Sequence, residues 1–364
     1  MPRTATIAAL RRQIDRLDDR LLALLNRRAR LVTAVGATKA RNGASVYVAG
    51  REKAVLARLE RANRGPLSSA HLRAIFREVI SASRSLESRL EVAYFGPRAT
   101  FSHLAALEQF GASAAYRPAA TIAEVFHDVE NGRAQLGVVP VENTTEGAVL
   151  HTLDLLVDSP LAICGEVSLP IRHCLLARRG TSLARVRCVV AHPQALAQCR
   201  EWLATHLPGV AQAEAPSNAA GAERAAREAG TAAVAAEAAA HVYGLAVLAR
   251  GIQDDAGNAT RFLVLGPTDA PDPTGDDKTS LVVSVRDEVG VLARLLRPFA
   301  QHGIDLIKIE SRPLRERPWE YYFFLDLRGH RRDRRVERAL AAVARRALRV
   351  KVLGSYPAAA GGTG

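Results

Sequence analysis

From residue 7 onward, apolar side chains recur at Ile7, Leu10, Ile14, Leu17, Leu21, Leu24, Leu31 and Val35, spaced three and four apart for most of the run. That spacing is a heptad seam. No proline or glycine interrupts it before Gly36. The pattern predicts one helix over residues 6–40, roughly 50 Å long at ~1.5 Å per residue. Two shorter helices of one chain cannot cover such a length, so the seam is expected to meet its copy in a dimer. Arg28 sits on the seam where leucine is expected. A second helix is expected from residue 49 and a third from residue 69. On the third, Leu72, Phe76, Val79, Ser83 and Leu86 share a stripe, and Ser83 and Glu87 put polar groups on an apolar face. One buried cation can set helix register; several polar groups converging on a helical core are more naturally a ligand site.

The chain has 364 residues, 48% of them hydrophobic, enough for two or three cores. Its net charge of +13 is unevenly placed. Residues 1–90 hold 19 Lys/Arg against 7 Asp/Glu, and residues 328–351 hold 10 against 2. These blocks read as a nucleic-acid footprint, as solvated helical surface, or as cations facing a di-anionic metabolite. Cys164, Cys174, Cys188 and Cys199 are scattered, as reduced thiols of a cytoplasmic protein would be. No His-Glu-x-x-His and no Gly-rich nucleotide loop occurs, so neither metal nor cofactor is expected. The N-terminus lacks the apolar core of a secretory signal. The longest apolar stretch, residues 232–249, is broken by Glu237 and His241, so no membrane span is expected.

After residue 90, strand and helix patterns alternate. Strands are expected at 136–141, 161–168, 171–177, 187–191 and 231–235, with a helix over 192–206. This is α/β patterning, long enough for two lobes around a cleft. Two polar segments stand out: Pro140-Val141-Glu142-Asn143-Thr144-Thr145-Glu146-Gly147 and Asn258-Ala259-Thr260-Arg261-Phe262. The first places Glu142, Asn143 and Thr144 at the carboxyl end of a buried strand, where open α/β sheets bind ligands. Beyond a Pro/Gly/Asp-rich linker come strands at 280–285, 304–310, 321–327 and 350–353 with helices at 290–302 and 333–347. That order, β-α-β-β-α-β, is ferredoxin-like. The expected organisation is a helical domain over 1–90, an α/β domain over 91–268, a linker over 269–277, an α+β domain over 278–357 and a disordered tail over 358–364.

The helical segment resembles the helical class of chorismate mutase through Arg11, Arg28, Gly36-Ala37-Thr38-Lys39, Arg51-Glu52, Ser83 and Glu87. Val48 stands where many relatives place an acid. The rearrangement of chorismate to prephenate needs no nucleophile; it needs a dicarboxylate held compactly and charge on the ether oxygen stabilised. Guanidinium groups suit carboxylates through bidentate hydrogen bonds. The resemblance implies that Arg11 reaches across from the partner subunit, that Lys39 and Glu87 face the ether oxygen, and that Arg51 and Glu52 belong to the substrate-binding and catalytic set.

The α/β segment resembles prephenate dehydratase in five ordered words. These are Gly96-Pro97-x-x-Thr100-Phe101-Ser102, Val139-Pro140-Val141-Glu142-Asn143, Gly165-Glu166, His192-Pro193-Gln194-Ala195-Leu196-x-Gln198-Cys199 and Asn258-x-Thr260-Arg261-Phe262. Ala99 replaces the usual glycine, and Ala191 a serine common before His-Pro-Gln. The resemblance gives Thr260 the central role as proton donor or relay, with Glu142 or water replenishing it. Asn143, Thr144, Gln198 and Phe262 are expected substrate contacts. Arg261 is expected either to bind a carboxylate or to form a structural salt bridge; His192 is structural or catalytic.

The last segment resembles the phenylalanine-binding ACT domain of these dehydratases through Gly290-Val291-Leu292, Glu310-Ser311-Arg312-Pro313 and Trp319-Glu320-Tyr321. The whole implies a cytoplasmic, cofactor-free enzyme of at least two subunits. It would take chorismate and prephenate as substrates and phenylalanine as inhibitor. Two rivals remain: a ligand-binding module, and a nucleic-acid adapter if Arg28, Lys39 and Ser83 face open surface rather than a shared cavity.

Overall fold

The computed structural model describes residues 6–41, 49–270, 272–286, 288–313 and 321–359, the side chains of 39–41 and 49 excepted. Val48, Trp319, Glu320 and the Lys39 side chain therefore lie outside the description. The chain divides into two compact units. The first holds α1 (Ile7–Arg41), α2 (Ala49–Ala62) and α3 (Ser69–Glu87), and residues 110–115 count with it. Helix α3 starts at Ser68, whose hydroxyl accepts from the His71 amide. Gly36 lets α1 and α3 come close, since a Cβ there would strike the Glu87 side chain. All eight residues of the predicted seam are 47–72% exposed in the single chain.

The second unit contains two lobes and a third subdomain. The first lobe opens with β1 (Glu91–Phe95), α4 (Phe101–Phe110), β2 (Ala115–Ala119), α5 (Ile122–Glu130) and β3 (Leu136–Asn143). It continues with β4 (Gly147–Ala148), α6 (Leu150–Asp158) and β5 (Ala162–Pro170). The second lobe runs through β6 (Cys174–Arg178), β7 (Cys188–Ala191), α7 (Pro193–Gln198), α8 (Arg200–His206) and β8 (Ala211–Glu214). It ends with α9 (Asn218–Arg227), β9 (Thr231–Ala235), α10 (Glu237–Tyr243) and β10 (Leu245–Arg250). The chain then returns to the first lobe as β11 (Ala259–Gly266), inserted antiparallel between β3 and β5. The sheet orders are β2-β1-β3-β11-β5 and β10-β6-β9-β7-β8. Two chain crossings between the lobes thus bracket a cleft.

The single helix expected over 192–206 is broken at Cys199. Asp254 explains the break: its carboxylate accepts from the amides of Glu201 and Trp202, and its own amide donates to the Gln198 carbonyl. A second local adjustment falls at Ala99, which adopts φ +66°. Its amide donates to Nδ1 of His103, whose pKa burial pushes down to about 4, so the ring stays neutral and accepts.

The third subdomain is β12 (Asp277–Val285), α11 (Val291–Gln301), β13 (Leu306–Pro313), β14 (Tyr321–Arg328), α12 (Arg334–Ala344) and β15 (Arg349–Pro357). Its antiparallel sheet has the order β13-β14-β12-β15. Side chains alternate across it. Leu281, Val283, Val285, Leu325 and Leu327 pack with Leu295, Phe299, Val336 and Val343 of the two helices. Val282, Phe324, Leu353 and Tyr356 join the core of the first lobe with Val139, Val141, Ile163 and Leu263. A Cβ at Gly354 would collide with the Ile163 carbonyl, so β15 lies directly on β5. Lys351 donates to the carbonyls of Leu156, Val157 and Ser159, capping the end of α6. The tail expected to be disordered begins otherwise: Ala358 donates to the Asp276 carbonyl and Ala359 to Glu166 Oε1.

The left-handed backbone at Ala99 explains why glycine suits that position. An L-residue pays about 1–2 kcal/mol there, while glycine loses about 0.4–1 kcal/mol through unfolded-state entropy. Ala99→Gly is expected to stabilise the protein by about 0.5–1 kcal/mol. A urea midpoint unchanged or lowered in the variant would contradict the assignment.

Candidate active sites

The cleft between the lobes is a cavity of about 330 Å³. Its walls come from the start of α4 (Phe101, Ser102), the ends of β3 and β11 (Asn143, Thr260, Phe262), α7 (Gln194, Gln198) and the start of α9 (Ser217, Asn218). The amino ends of α4 and α9 aim backbone donors and dipole toward it, which favours an anionic occupant. His192 caps α7, its Nδ1 accepting from the Gln194 amide at 3.3 Å, and lines the wall as well.

Asn143 organises the centre. Its Oδ1 accepts from the amides of Thr145 (3.0 Å) and Glu146 (3.2 Å) and from the Thr145 hydroxyl (2.6 Å). Those donors fix the amide orientation. Its Nδ2 therefore donates to Thr260 Oγ1 at 2.9 Å and to Asn258 Oδ1 at 2.8 Å. Thr260 is an acceptor in that bond, which leaves its own hydrogen for another partner. The arrangement can present one oriented O–H to a group bound in the cleft.

Strand alternation decides the fate of the neighbours. Thr260 and Phe262 line the cleft, while Arg261 points to the opposite face. There its guanidinium meets Asp326 Oδ2 (2.7 Å), Glu166 Oε2 (3.3 Å) and Glu142 Oε2 (3.3 Å). Lys308 Nζ lies 2.8 Å from Glu142, and Lys278 Nζ 2.8 Å from Glu166. Three cations and three carboxylates thus balance; Asp326, Lys278 and Lys308 come from the third subdomain. This decides between two open readings and corrects one expectation. Arg261 is the salt-bridge member of its two readings, and Glu142 lies in an ion cluster instead of beside the Thr260 hydroxyl. Thr144 is exposed and does not line the cleft; its hydroxyl accepts from the Ala259 amide and ties β3 to β11.

In the helical unit, Arg28 donates to the Ser83 hydroxyl and to the Val79 carbonyl (3.3 Å), and Ser83 donates to the same carbonyl (2.7 Å). Burial lowers the Arg28 pKa from its ordinary value. Arg28 and Ser83 therefore share an interior between α1 and α3, and Glu87 packs against Gly36 one turn further on. An open nucleic-acid face does not use these residues. Glu52, expected in the catalytic set, has its Oε1 2.6 Å from Arg84 Nη1, and Arg84 also donates to the Phe110 carbonyl. Arg11 and Arg51 are exposed.

Of the expected regulatory residues, Gly290 takes φ +75° at the start of α11, followed by Val291 and the exposed Leu292. On β13, Lys308, Glu310 and Arg312 share the more buried face, and Ser311 and Pro313 the exposed one. Arg312 is engaged: its guanidinium makes a two-pronged contact with Asp154 of α6 (2.6 and 2.7 Å). That bridge fixes the Arg312 side chain against α6. Residues missed in the sequence include His173, Ser217 and Asn218. A serine before an alanine-rich helix was the available signal for the last two.

Comparison with known proteins bears on these sites. Residues 92–270 match the prephenate dehydratase family, residues 10–88 chorismate mutase type II and residues 279–345 the ACT domain. The chain is 47% identical to the bifunctional chorismate mutase/prephenate dehydratase of Aquifex aeolicus, over 96% of this chain and 97% of the relative. It is 46% identical to that of Stutzerimonas stutzeri, over 97% and 98%. Among solved structures, the prephenate dehydratase of Arthrobacter aurescens in complex with L-Phe is 36% identical with a TM-score of 0.69, covering 74% of this chain and 90% of that one.

The ion cluster has a pH signature. Burial alone would raise the Asp326 pKa, but Arg261 outweighs it and holds the carboxyl below its ordinary value. A carboxylate so depressed contributes stability above its unfolded pKa of ~3.9, and that contribution is lost as pH falls through the folded value. Asp326→Asn is expected to destabilise the protein by about 3–5 kcal/mol at pH 7, the scale of a broken buried pair. The gap to wild type should narrow below about pH 4. Urea midpoints at neutral and acid pH measure it; a gap independent of pH would remove the charge from the explanation.

Proposed function

The chain belongs to the bifunctional chorismate mutase/prephenate dehydratases, and from that premise we propose how its residues divide the work. The protein converts chorismate to prephenate and prephenate to phenylpyruvate in phenylalanine biosynthesis, under regulation by phenylalanine. In the helical unit, Arg28 grips a substrate carboxylate while Ser83 orients it, and Lys39 and Glu87 serve the ether oxygen. Glu52 acts by holding Arg84 instead of meeting substrate. Arg11, exposed beside an uncovered apolar seam, completes the site of a second copy, which makes the working unit at least a dimer.

In the cleft, Thr260 gives its hydrogen to the departing ring hydroxyl, which leaves as water. The electrons of the broken bond to the ring carboxylate flow into the ring, CO2 departs and the ring becomes aromatic. An aliphatic hydroxyl is too weak an acid to act alone near neutral pH, so a cleft water replenishes its proton. The observation that carries this reading is the Asn143 amide donating to Thr260, since it reserves the threonine hydrogen for substrate. Phe101 and Phe262 supply an apolar wall for the CO2, and Gln198 and His192 meet the substrate's polar groups. Phenylalanine binds near Gly290, Val291, Leu292, Glu310, Ser311 and Pro313. It reaches the cleft through the charges behind β11. The four free cysteines support a reducing, cytoplasmic location.

The division of labour is tested with supplied substrates. Arg28→Ala should cut chorismate turnover by roughly 100- to 1000-fold, the scale of losing one charge-stabilising donor. Dehydration of supplied prephenate should stay near wild type. Thr260→Val should do the reverse. Equal loss of both activities in either folded variant would refute the two-site reading.

The seam makes a separate forecast about assembly. Leu17→Glu with Leu24→Glu should shift the protein toward monomers in analytical ultracentrifugation and remove mutase activity. Mutase activity retained by a monomer would exclude a contribution from Arg11 of a second copy.

A further inference from the structure

His173 sits in the crossing between β5 and β6, 1% exposed, and the chemistry above does not use it. Its backbone is pinned on both sides: the amide donates to Gln253 Oε1 and the carbonyl accepts from Ile252, each at 3.0 Å. The ring stands edge-on to Phe101, 5.4 Å between centroids, and both line the cleft with Gln198. Nε2 lies 3.0 Å from Gln198 Oε1. Nδ1 is buried with no hydrogen-bond partner among the described residues.

Donor and acceptor demands settle which atoms carry hydrogen. Gln198 Nε2 is 3.3 Å from the Glu146 carboxylate and 3.4 Å from the Thr145 hydroxyl. A carboxylate accepts, so the amide nitrogen faces the loop and the amide oxygen faces His173. That oxygen cannot donate, hence His173 Nε2 bears the hydrogen. A proton on Nδ1 as well would bury a charged N–H with no acceptor. Burial lowers the imidazole pKa accordingly, although the Gln198 contact opposes the shift. His173 is a neutral donor locked in one tautomer.

We propose that His173 is a positioning residue for prephenate dehydration, holding the Gln198 carboxamide with its NH2 group toward Thr145 and Glu146 of the loop after β3. Without that bond only the longer contacts to Glu146 and Thr145, 3.3 and 3.4 Å, hold the carboxamide, and its placement at the cleft wall loosens. The inference rests on Gln198 being a substrate contact, and the test separates the two ideas. The full-length wild type, His173→Leu, Gln198→Ala and the double variant are compared by kcat/KM on supplied prephenate, with His173→Gln as a rescue. Glutamine carries an amide N–H to about where Nε2 sits.

His173→Leu should lower kcat/KM by roughly tenfold, the scale of one lost hydrogen bond. The same change in the Gln198→Ala background should cost less than about twofold, because residues acting as a unit are not additive. His173→Gln should recover most of the activity. If the leucine variant does not fold, His173→Asn, polar near Nδ1 but too short for Gln198, takes its place in the cycle. A silent Gln198→Ala would sink the glutamine's role and the proposal with it. An effective Gln198→Ala with independent, multiplying losses in the double variant would overturn the role of His173 alone, as would a glutamine variant no better than leucine.

Discussion

The Arg261 guanidinium, buried among Asp326, Glu166 and Glu142, is the interaction on which the second unit depends. An unpaired buried charge is costly, and each partner here removes that cost for the others. The dehydratase lobe supplies two carboxylates and one cation; the third subdomain supplies two cations and one carboxylate. Neither side is neutral alone. Glu166, whose side chain is 0% exposed, makes the point most sharply: it is compensated by Arg261 from its own lobe and by Lys278 from across the joint.

That cluster lies one residue from the Thr260 hydroxyl because β11 is a strand. Successive side chains face opposite ways, so Thr260 and Phe262 serve the cleft while Arg261 serves the joint. The pairing of Thr260 with Asn143, and of Arg261 with Glu142, extends the division to β3. One strand thus contributes to both the cleft wall and the ion cluster.

Much of this was legible in the sequence, and the failures have a common cause. The α1 seam, the α/β alternation and the β-α-β-β-α-β order follow from local periodicity, which a single chain displays. Thr260, Asn143, Gln198 and Phe262 were found and do meet in the cleft. Glu142 was placed beside the Thr260 hydroxyl, and Arg261 was left between a carboxylate contact and a salt bridge, because contiguous words invite a contiguous role. The partner of Arg261 is 65 residues away and that of Arg312 is 158 away, beyond any local pattern. The helix break at Cys199 had the same origin, since Asp254 arrives from a distant loop. His173 stood alone in an apolar run and gave no signal.

Gly354, with no room for even one carbon beyond its backbone, sets how near the third subdomain can come to the first lobe. Elsewhere along that joint side chains interdigitate, but where β15 rests on the Ile163 carbonyl the two backbones meet with none between them. Any side chain at 354 would have to push the two strands apart, and with them the core and the charges that the joint encloses.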